Sequence, residues 1–189
     1  MTASLILALL LPLIPFQNSC RELNNDVFRL HILANSDSAA DQSAKLQVRD
    51  SILEEISSLY DQARSKEDAE DITRAHLTLI RNTAVCALRR SGIDDPVHVE
   101  MARMYFNTRY YDDFTMPAGY YDALRVTIGK GGGRNWWCVM YPCLCVGAAA
   151  DDSARDTLSS DEYEVISSDD IEYRFKIVEV YEKIRSFFV

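Results

Sequence analysis

The stretch Gly129-Lys-Gly-Gly-Gly-Arg-Asn-Trp-Trp-Cys-Val-Met-Tyr-Pro-Cys-Leu-Cys145 decides how the second half of this chain folds. It holds both tryptophans, four of the seven glycines and three of the five cysteines. Glycine runs form tight turns, and the segment from Trp136 to Tyr141 has strong β propensity. Because the residues from Tyr121 to Ile128 alternate as a strand does, the glycine run is predicted to join two strands in a hairpin.

A strand and two helices are predicted before this hairpin. Val27 to Leu33 alternates as a half-buried strand, with Arg29 and His31 on its solvated face. Capping pairs beginning at Ser38 and Ser65 open the two helices. Their predicted inward stripes are Val48, Ile52, Ile56 and Leu59 in the first helix, and Ile72, Ala75, Leu79, Thr83 and Cys86 in the second.

The pattern becomes strand-like after Gly92, which ends the second helix. Val97 to Phe106 alternates, a loop rich in Tyr and Asp covers Asn107 to Gly119, and Ile171 to Phe188 finishes with helical spacing. The predicted order is therefore β-α-α-β-β-β-α. This order indicates an α+β fold in which helices pack on one face of a mostly antiparallel sheet.

Length and charge limit the classes of protein to consider. With 189 residues the chain is long enough for one domain with a substantial core. Its formal net charge of −9 disfavours nucleic acid as a partner, because binding to phosphate backbones needs a concentrated basic surface. The apolar run from Leu5 to Ile14 is typical of a signal peptide, but it is too short to span a bilayer.

These features predict the domain organisation. Residues 1–22 are expected to be a signal peptide or N-terminal membrane anchor, and residues 23–189 a single domain in which 148–170 form a mobile acidic loop. Export permits disulfides, and the odd number of cysteines leaves at least one thiol unpaired. Cys86 is expected to be an inert core thiol. Cys138, Cys143 and Cys145 then compete for a bridge, with Cys20 as a more distant alternative.

The residues alone predict no metal, cofactor or catalytic constellation. A phosphate loop needs a helix after its glycines, whereas Trp136 follows here as a strand residue. Structural zinc needs a second cysteine pair or spaced histidines, and the chain has neither. The alternative function is a thiol-dependent cell-envelope enzyme that uses Cys138 as nucleophile, with His31 or His98 as its base.

Two stretches of this chain resemble the stage II sporulation protein R family, which comprises secreted signalling proteins of endospore-forming bacteria. The first runs from Arg29-Leu-His-Ile-Leu-Ala-Asn-Ser-Asp-Ser38 through Asp41-Gln42 to Lys45-Leu-Gln-Val-Arg-Asp50. The second runs from Pro117-Ala-Gly-Tyr-Tyr-Asp-Ala-Leu-Arg-Val-Thr-Ile-Gly129 into Gly131-x-Gly-x-Asn-Trp-Trp-Cys-Val-Met-Tyr-Pro-x-Leu-Cys145. The resemblance spans Phe28 to Val146. The family usually has two prolines where this chain has Pro142-Cys143.

The resemblance implies a ligand rather than an enzyme. A protein of this family is made in the forespore and exported into the space between forespore and mother cell. There it activates a membrane-embedded aspartic-type protease, stage II sporulation protein GA, which processes the sigma-E precursor in the mother cell. The chain is therefore expected to lie in that intermembrane space, either secreted or associated with the membrane through its apolar N-terminal segment.

Candidate contact residues follow from this expected role, because a few aromatic anchors dominate many protein interfaces. The residues expected to contact the receptor are Trp136, Trp137, Tyr110, Tyr111 and Asn135. One tryptophan should point inward and the other outward, since adjacent strand residues face opposite sides. A Cys138–Cys145 disulfide is also expected, because Pro142 can turn the chain between the two cysteines.

Overall fold

A computed structural model describes residues 13–111, 114–143, 156–167 and 176. These residues form two compact units. The sheet unit holds residues 27–103 and 122–143, and the terminal unit holds the rest. The elements are α1 Leu13–Asp26, β1 Phe28–Leu33, α2 Ala39–Tyr60, α3 Lys66–Ala75, α4 Leu77–Arg90, β2 Val97–Phe106, β3 Arg109–Tyr110, β4 Thr115–Met116, β5 Gly119–Ile128, β6 Asn135–Tyr141 and α5 Ser160–Ser167.

The predicted fold class is confirmed: the protein is α+β with a mostly antiparallel four-stranded sheet. Its strand order is β2-β5-β1-β6. Strand β1 is parallel to β5 and antiparallel to β6. The structure adds α1, the separation of α3 from α4, the small β3–β4 ladder and α5 to the predicted order.

One face of the sheet packs against helices and forms the main core. The predicted caps are confirmed, since the Ser38 and Ser65 side chains accept bonds from the Asp41 and Asp68 N–H groups. Burial of apolar side chains supplies most of the stability of such a layer. The core includes Phe28, Leu30 and Ile32 from β1, Leu124, Val126 and Ile128 from β5, Cys138 and Met140 from β6, Val48, Ile52 and Ile56 from α2, and Ile80, Ala84 and Leu88 from α4.

The stripe predicted for the second helix is wrong by one position. The buried side chains of α3 and α4 include Ala69, Thr73, Ile80, Ala84 and Leu88. Small and polar residues in this stripe hide its period, because hydrophobicity alone does not mark alanine or threonine as core residues. Cys86 consequently lies on the exposed side of α4 and is not the buried thiol that was expected.

The predicted hairpin is also wrong, because β5 and β6 are not neighbours in the sheet. Strand β1 lies between them, with Leu30 opposite both Leu124 of β5 and Cys138 of β6. The glycine run therefore crosses the end of β1 instead of joining two adjacent strands. Alternation within a strand does not reveal which strand is its neighbour, so the sequence pattern supported the wrong pairing.

Within the terminal unit, α5 packs against α1 and β4. Ser159 and Glu162 form a capping box at the start of α5, in which the Glu162 carboxylate accepts from the Ser159 N–H at 2.9 Å. This helix differs from the acidic loop predicted for residues 148–170, whose remaining parts lie largely outside the described residues. The helix predicted from Ile171 to Phe188 lies outside them as well, apart from residue 176.

Helix α1 includes residues 13–22 of the segment 1–22 that was predicted to be a signal peptide or anchor. Phe16, Cys20 and Leu23 are buried, and Asn24 packs so closely on Gly119 that a Cβ there would overlap its side-chain amide. No helix in the described ranges is long and apolar enough to cross a membrane. Whether the N-terminus is cleaved or retained as an anchor stays a prediction.

Candidate functional site

The glycine run forms an arch over the end of β1, which we define as residues Gly129–Arg134. The N–H groups of Gly132 and Gly133 donate to the carbonyl oxygens of Asn35 and Ala34, at 3.2 and 2.9 Å. These two carbonyls follow directly after β1, where the strand leaves the ladder. The arch therefore satisfies main-chain groups that would otherwise end the central strand without partners.

Side chains from the turn after β1 complete the attachment of the arch. The Asn35 side-chain oxygen accepts from the Lys130 N–H at 3.0 Å. The Asp37 carboxylate accepts from the Arg134 N–H at 2.7 Å. Asn and Asp suit this role because their short side chains reach nearby main-chain N–H groups. Sequence spacing did not identify these contacts, which join residues more than 90 positions apart.

A buried lysine from α2 makes a further bond to the arch. The Lys45 ammonium donates to the Arg134 carbonyl at 2.9 Å and to the Gln42 side-chain oxygen at 2.7 Å. Lys45 is only 4% exposed, and burial is the main cause that lowers its pKa below the ordinary value, with the nearby Arg134 charge acting in the same direction. A positive charge is thus held between α2 and the arch by two neutral acceptors.

Close approach explains why the arch is rich in glycine. A Cβ on Gly133 would overlap the Ser36 carbonyl, and one on Gly129 would overlap the Asn35 side chain. Gly129 also has a φ of +56°, in the left-handed region that favours glycine. The glycines therefore serve contact between two segments of the protein, and they are not a cradle for a phosphate.

Trp136 and Trp137 point to opposite faces of the sheet, as predicted for adjacent strand residues. Trp136 packs against the helix-covered core, and the Arg49 guanidinium of α2 lies 4.4 Å from the centre of its ring. This cation–π contact joins the first sequence stretch to the second. Trp136 is thus a half-buried packing residue with a basic side chain over its ring.

Trp137 stacks on His31, with ring centroids 3.8 Å apart and planes within 3° of parallel. His31 is 3% exposed and its neighbour Arg29 is 0% exposed. The prediction that both side chains face solvent is therefore wrong. Phe28 to Ile32 are all buried, so the second face of β1 is covered as well as its first. The indole of Trp137 helps to cover that second face.

The thiol–histidine pairs required by the enzyme hypothesis are not assembled. Cys138 lies in the helix-side core, whereas His31 points to the opposite face beside Trp137. His98 is exposed on β2, at the other edge of the sheet from β6. A base must lie within hydrogen-bond reach of the thiol it activates. Over the described residues, no group of three or more His, Cys, Asp or Glu is arranged to hold a metal ion.

The cysteines narrow the choice of disulfide. Cys20, Cys86 and Cys143 are thiols and take part in no disulfide, so bridges through Cys20 or Cys143 are not formed. Burial raises the pKa of the Cys20 thiol to about 12. Cys138 is buried, and Cys145 lies outside the described residues. The Cys138–Cys145 bridge stays a prediction.

The remaining contact candidates differ in exposure. Asn135 is exposed where β6 begins, directly after the arch. Tyr110 is 54% exposed on β3, whereas the ring of Tyr111 stacks on Phe114 at 4.5 Å between centroids. Tyr120 was not among the candidates, yet its ring is exposed and contacts Tyr105 edge-on at 5.4 Å. Its place in an alternating strand was the signal that could have identified it.

Together the fold and the arch define an α+β protein whose two sequence motifs meet at one end of a central strand. The family model for Stage II sporulation protein R (spore_II_R) matches residues 24–151. The chain belongs to this family, and membership supports a role in sporulation.

A curated relative, the Stage II sporulation protein R of Bacillus subtilis (strain 168), is 37% identical over 121 residues. The aligned region covers 64% of this chain and 54% of the relative, so the chain spans about half the length of that relative. No solved structure matches the chain. The region matched by the family model, residues 24–151, contains the whole arch and the turn that holds it.

Proposed function

We propose that this protein is an exported signal of sporulation that activates a membrane-embedded aspartic-type protease, stage II sporulation protein GA. The activated protease then processes the sigma-E precursor in the mother cell. The observation that carries the proposal is the family match over residues 24–151, which includes both sequence motifs and the arch between them. Export into the space between forespore and mother cell belongs to the same proposal.

The geometry supports a binding role over a catalytic one. The residues proposed for chemistry, Cys138, His31 and His98, are separated by the sheet. The glycines contact the protein's own backbone. A ligand activates a receptor only through higher affinity for the active state, and a rigid surface suits this task because little conformational entropy is lost on binding.

Two of the proposed contact residues are exposed in a way that suits a receptor, namely Asn135 beside the arch and Tyr110 on β3. Tyrosine combines a large apolar ring with a hydroxyl and loses little rotamer freedom on binding. Trp136, Trp137 and Tyr111 pack against other side chains. In this proposal they support the exposed residues of their own unit from within.

Reconstitution in a non-sporulating host tests the proposal. The membrane protease and the sigma-E precursor are produced together, with and without this chain directed to the opposite side of the membrane. Precursor cleavage is expected only when the chain is present, and an unrelated exported protein is the negative control. Unchanged cleavage in the presence of the folded chain would contradict the proposed function.

A disulfide between Cys138 and Cys145 is part of the proposal, and it would fix the end of β6. Mass spectrometry of the exported protein under non-reducing conditions is expected to find one peptide pair that contains both cysteines. A loop of this size gives roughly 2–3 kcal/mol in the chain-entropy account. Recovery of both cysteines as alkylated thiols would exclude the bridge.

A further inference from the structure

The surface of the arch differs in charge from the protein as a whole. The chain carries a formal net charge of −9. At the arch, however, two exposed cations, Lys130 and Arg134, lie beside one exposed carboxylate, Asp37, and the buried Lys45 adds a positive charge beneath them. Within an acidic protein, a local excess of positive charge favours contact with an acidic partner over contact with other surfaces.

Two of these cations are available to a partner. Lys130 is exposed, and its ammonium takes part in none of the ion pairs between described residues. Arg134 is 76% exposed and approaches Asp37 only through Nε, at 3.5 Å. That carboxylate already accepts the Arg134 main-chain N–H at 2.7 Å. The terminal nitrogens of the guanidinium therefore remain open to solvent, in a form that suits bidentate binding of a carboxylate.

The main chain beneath these side chains is fixed. The N–H groups of Lys130, Gly132, Gly133 and Arg134 all donate to the segment Ala34–Asp37. The Arg134 carbonyl accepts from buried Lys45. The exposed side chains therefore start from positions that binding does not need to order, which lowers the entropic cost of association.

We propose that Lys130, Arg134 and Asn135, the arch surface, form the docking site for an acidic segment of the partner protein. The proposal rests on the proposed function, in which that partner is the membrane-embedded protease. Lys130 supplies a point charge, Arg134 a planar fork for a carboxylate, and Asn135 an amide that bonds to main-chain groups. Two exposed cations on an acidic chain do not suit the phosphate backbone of a nucleic acid.

Binding to vesicles tests the arch surface separately from signalling. The protease is reconstituted in phosphatidylcholine vesicles, and co-sedimentation measures the dissociation constant of the full chain. The double variant Lys130→Glu/Arg134→Glu is expected to bind at least about tenfold more weakly than wild type. The affinity of the wild-type chain is itself expected to be mostly lost as the salt concentration rises. The bonds of both residues within the arch are mainly main-chain bonds, so the variant is expected to keep the wild-type unfolding midpoint.

A matched control makes the same change of charge elsewhere. Arg64 and Arg89 are exposed side chains of the sheet unit outside the arch, and Arg64→Glu/Arg89→Glu is expected to change the dissociation constant less than about twofold. If the control weakens binding as much as the arch variant, net charge is responsible and the docking site is overturned. The milder pair Lys130→Ala/Arg134→Gln replaces the arch variant if that protein does not fold.

The remaining outcomes separate the docking site from the function. If wild-type chain binds through the arch surface but precursor cleavage does not follow, the docking site stands and the proposed function fails. If cleavage occurs and the arch variant binds normally, the function stands and the docking site fails. Absence of wild-type binding overturns the docking site, and precursor cleavage then decides the proposed function separately. Equal binding to protein-free vesicles that contain phosphatidylglycerol would identify a lipid surface and overturn the proposal.

Discussion

The arch and the β3–β4 segment are two turns with the same expected role and opposite construction. In the arch, the exposed side chains are charged or polar, and the aromatic rings that follow it are packed against Arg49 and His31. In the β3–β4 segment, Tyr110 is an exposed aromatic ring on a two-residue strand. Residue type alone suggested that all the aromatic side chains were anchors for a receptor.

The difference comes from the strand next to each turn. Trp136 and Trp137 pair with β1, whose two faces are both buried, so each ring meets protein on its side of the sheet. Tyr110 belongs to a ladder of only two strands, and its side chain is 54% exposed. Exposure of an aromatic residue therefore depends on sheet position more than on the sequence around it.

Replacement of Trp137 by alanine is expected to cause the largest loss in the free energy of unfolding. The change removes the ring that stacks on His31, and deletion of a large packed aromatic side chain costs about 3 kcal/mol. The matched change Tyr110→Ala is expected to alter the free energy of unfolding by no more than about 0.5 kcal/mol. Urea denaturation of both variants measures the two values.

Cleavage of the sigma-E precursor gives a second measurement on the variants Trp137→Ala and Tyr110→Ala. If Tyr110 contacts the receptor, Tyr110→Ala lowers precursor cleavage while stability is kept. Trp137→Ala lowers cleavage only in proportion to the fraction of protein that unfolds. Equal stability of the two variants, together with loss of cleavage in Trp137→Ala, would mean that Trp137 is a surface anchor after all.

Gly133→Ala is expected to have the next largest effect, because its Cβ would overlap the Ser36 carbonyl. Overpacking against a fixed main chain costs about 1–3 kcal/mol. The neighbouring change Gly132→Ala is the control, since a Cβ there would lie 3.4 Å from the nearest atom, the Asn35 carbonyl oxygen. Thermal or urea unfolding should separate these adjacent variants. If both lose the same stability, chain entropy and not close contact explains the glycines.

Local signals predicted the starts of the helices and the fold class well. Ser38 and Ser65 cap their helices as their spacing indicated, because capping involves residues only three positions apart. The same rule at Ser159 and Glu162 predicts the start of α5. The acidic, serine-rich composition of this segment instead indicated a loop.

Long-range pairing could not be predicted in the same way. The position of β1 between β5 and β6 depends on contacts between residues more than 90 positions apart, and strand alternation carries no information on neighbours. This one topological fact changes the interpretation of the candidate site. It buries His31, turns the hairpin into an arch, and makes Asn35 and Asp37 the residues that hold it.

The smallest expected effect is the pH dependence that Lys45, beneath the arch, contributes to the free energy of unfolding. Burial lowers the pKa of Lys45 below its ordinary value of 10.5 in the folded protein. Between the folded and unfolded pKa values the unfolded chain binds more protons, so the free energy of unfolding rises with pH there. Below the folded pKa the contribution is constant at its lower value.

The difference in unfolding free energy between wild type and Lys45→Met isolates this contribution, because other titrating groups are common to both proteins. Wild type is expected to gain stability relative to the variant as the pH rises toward 10.5. A difference in unfolding free energy that does not change with pH would mean that Lys45 keeps its ordinary pKa in the folded protein. If wild type instead loses stability relative to the variant as the pH rises, the Lys45 charge stabilises the arch. Lys45 would then belong with Arg134 as an electrostatic contact instead of a buried hydrogen-bond donor.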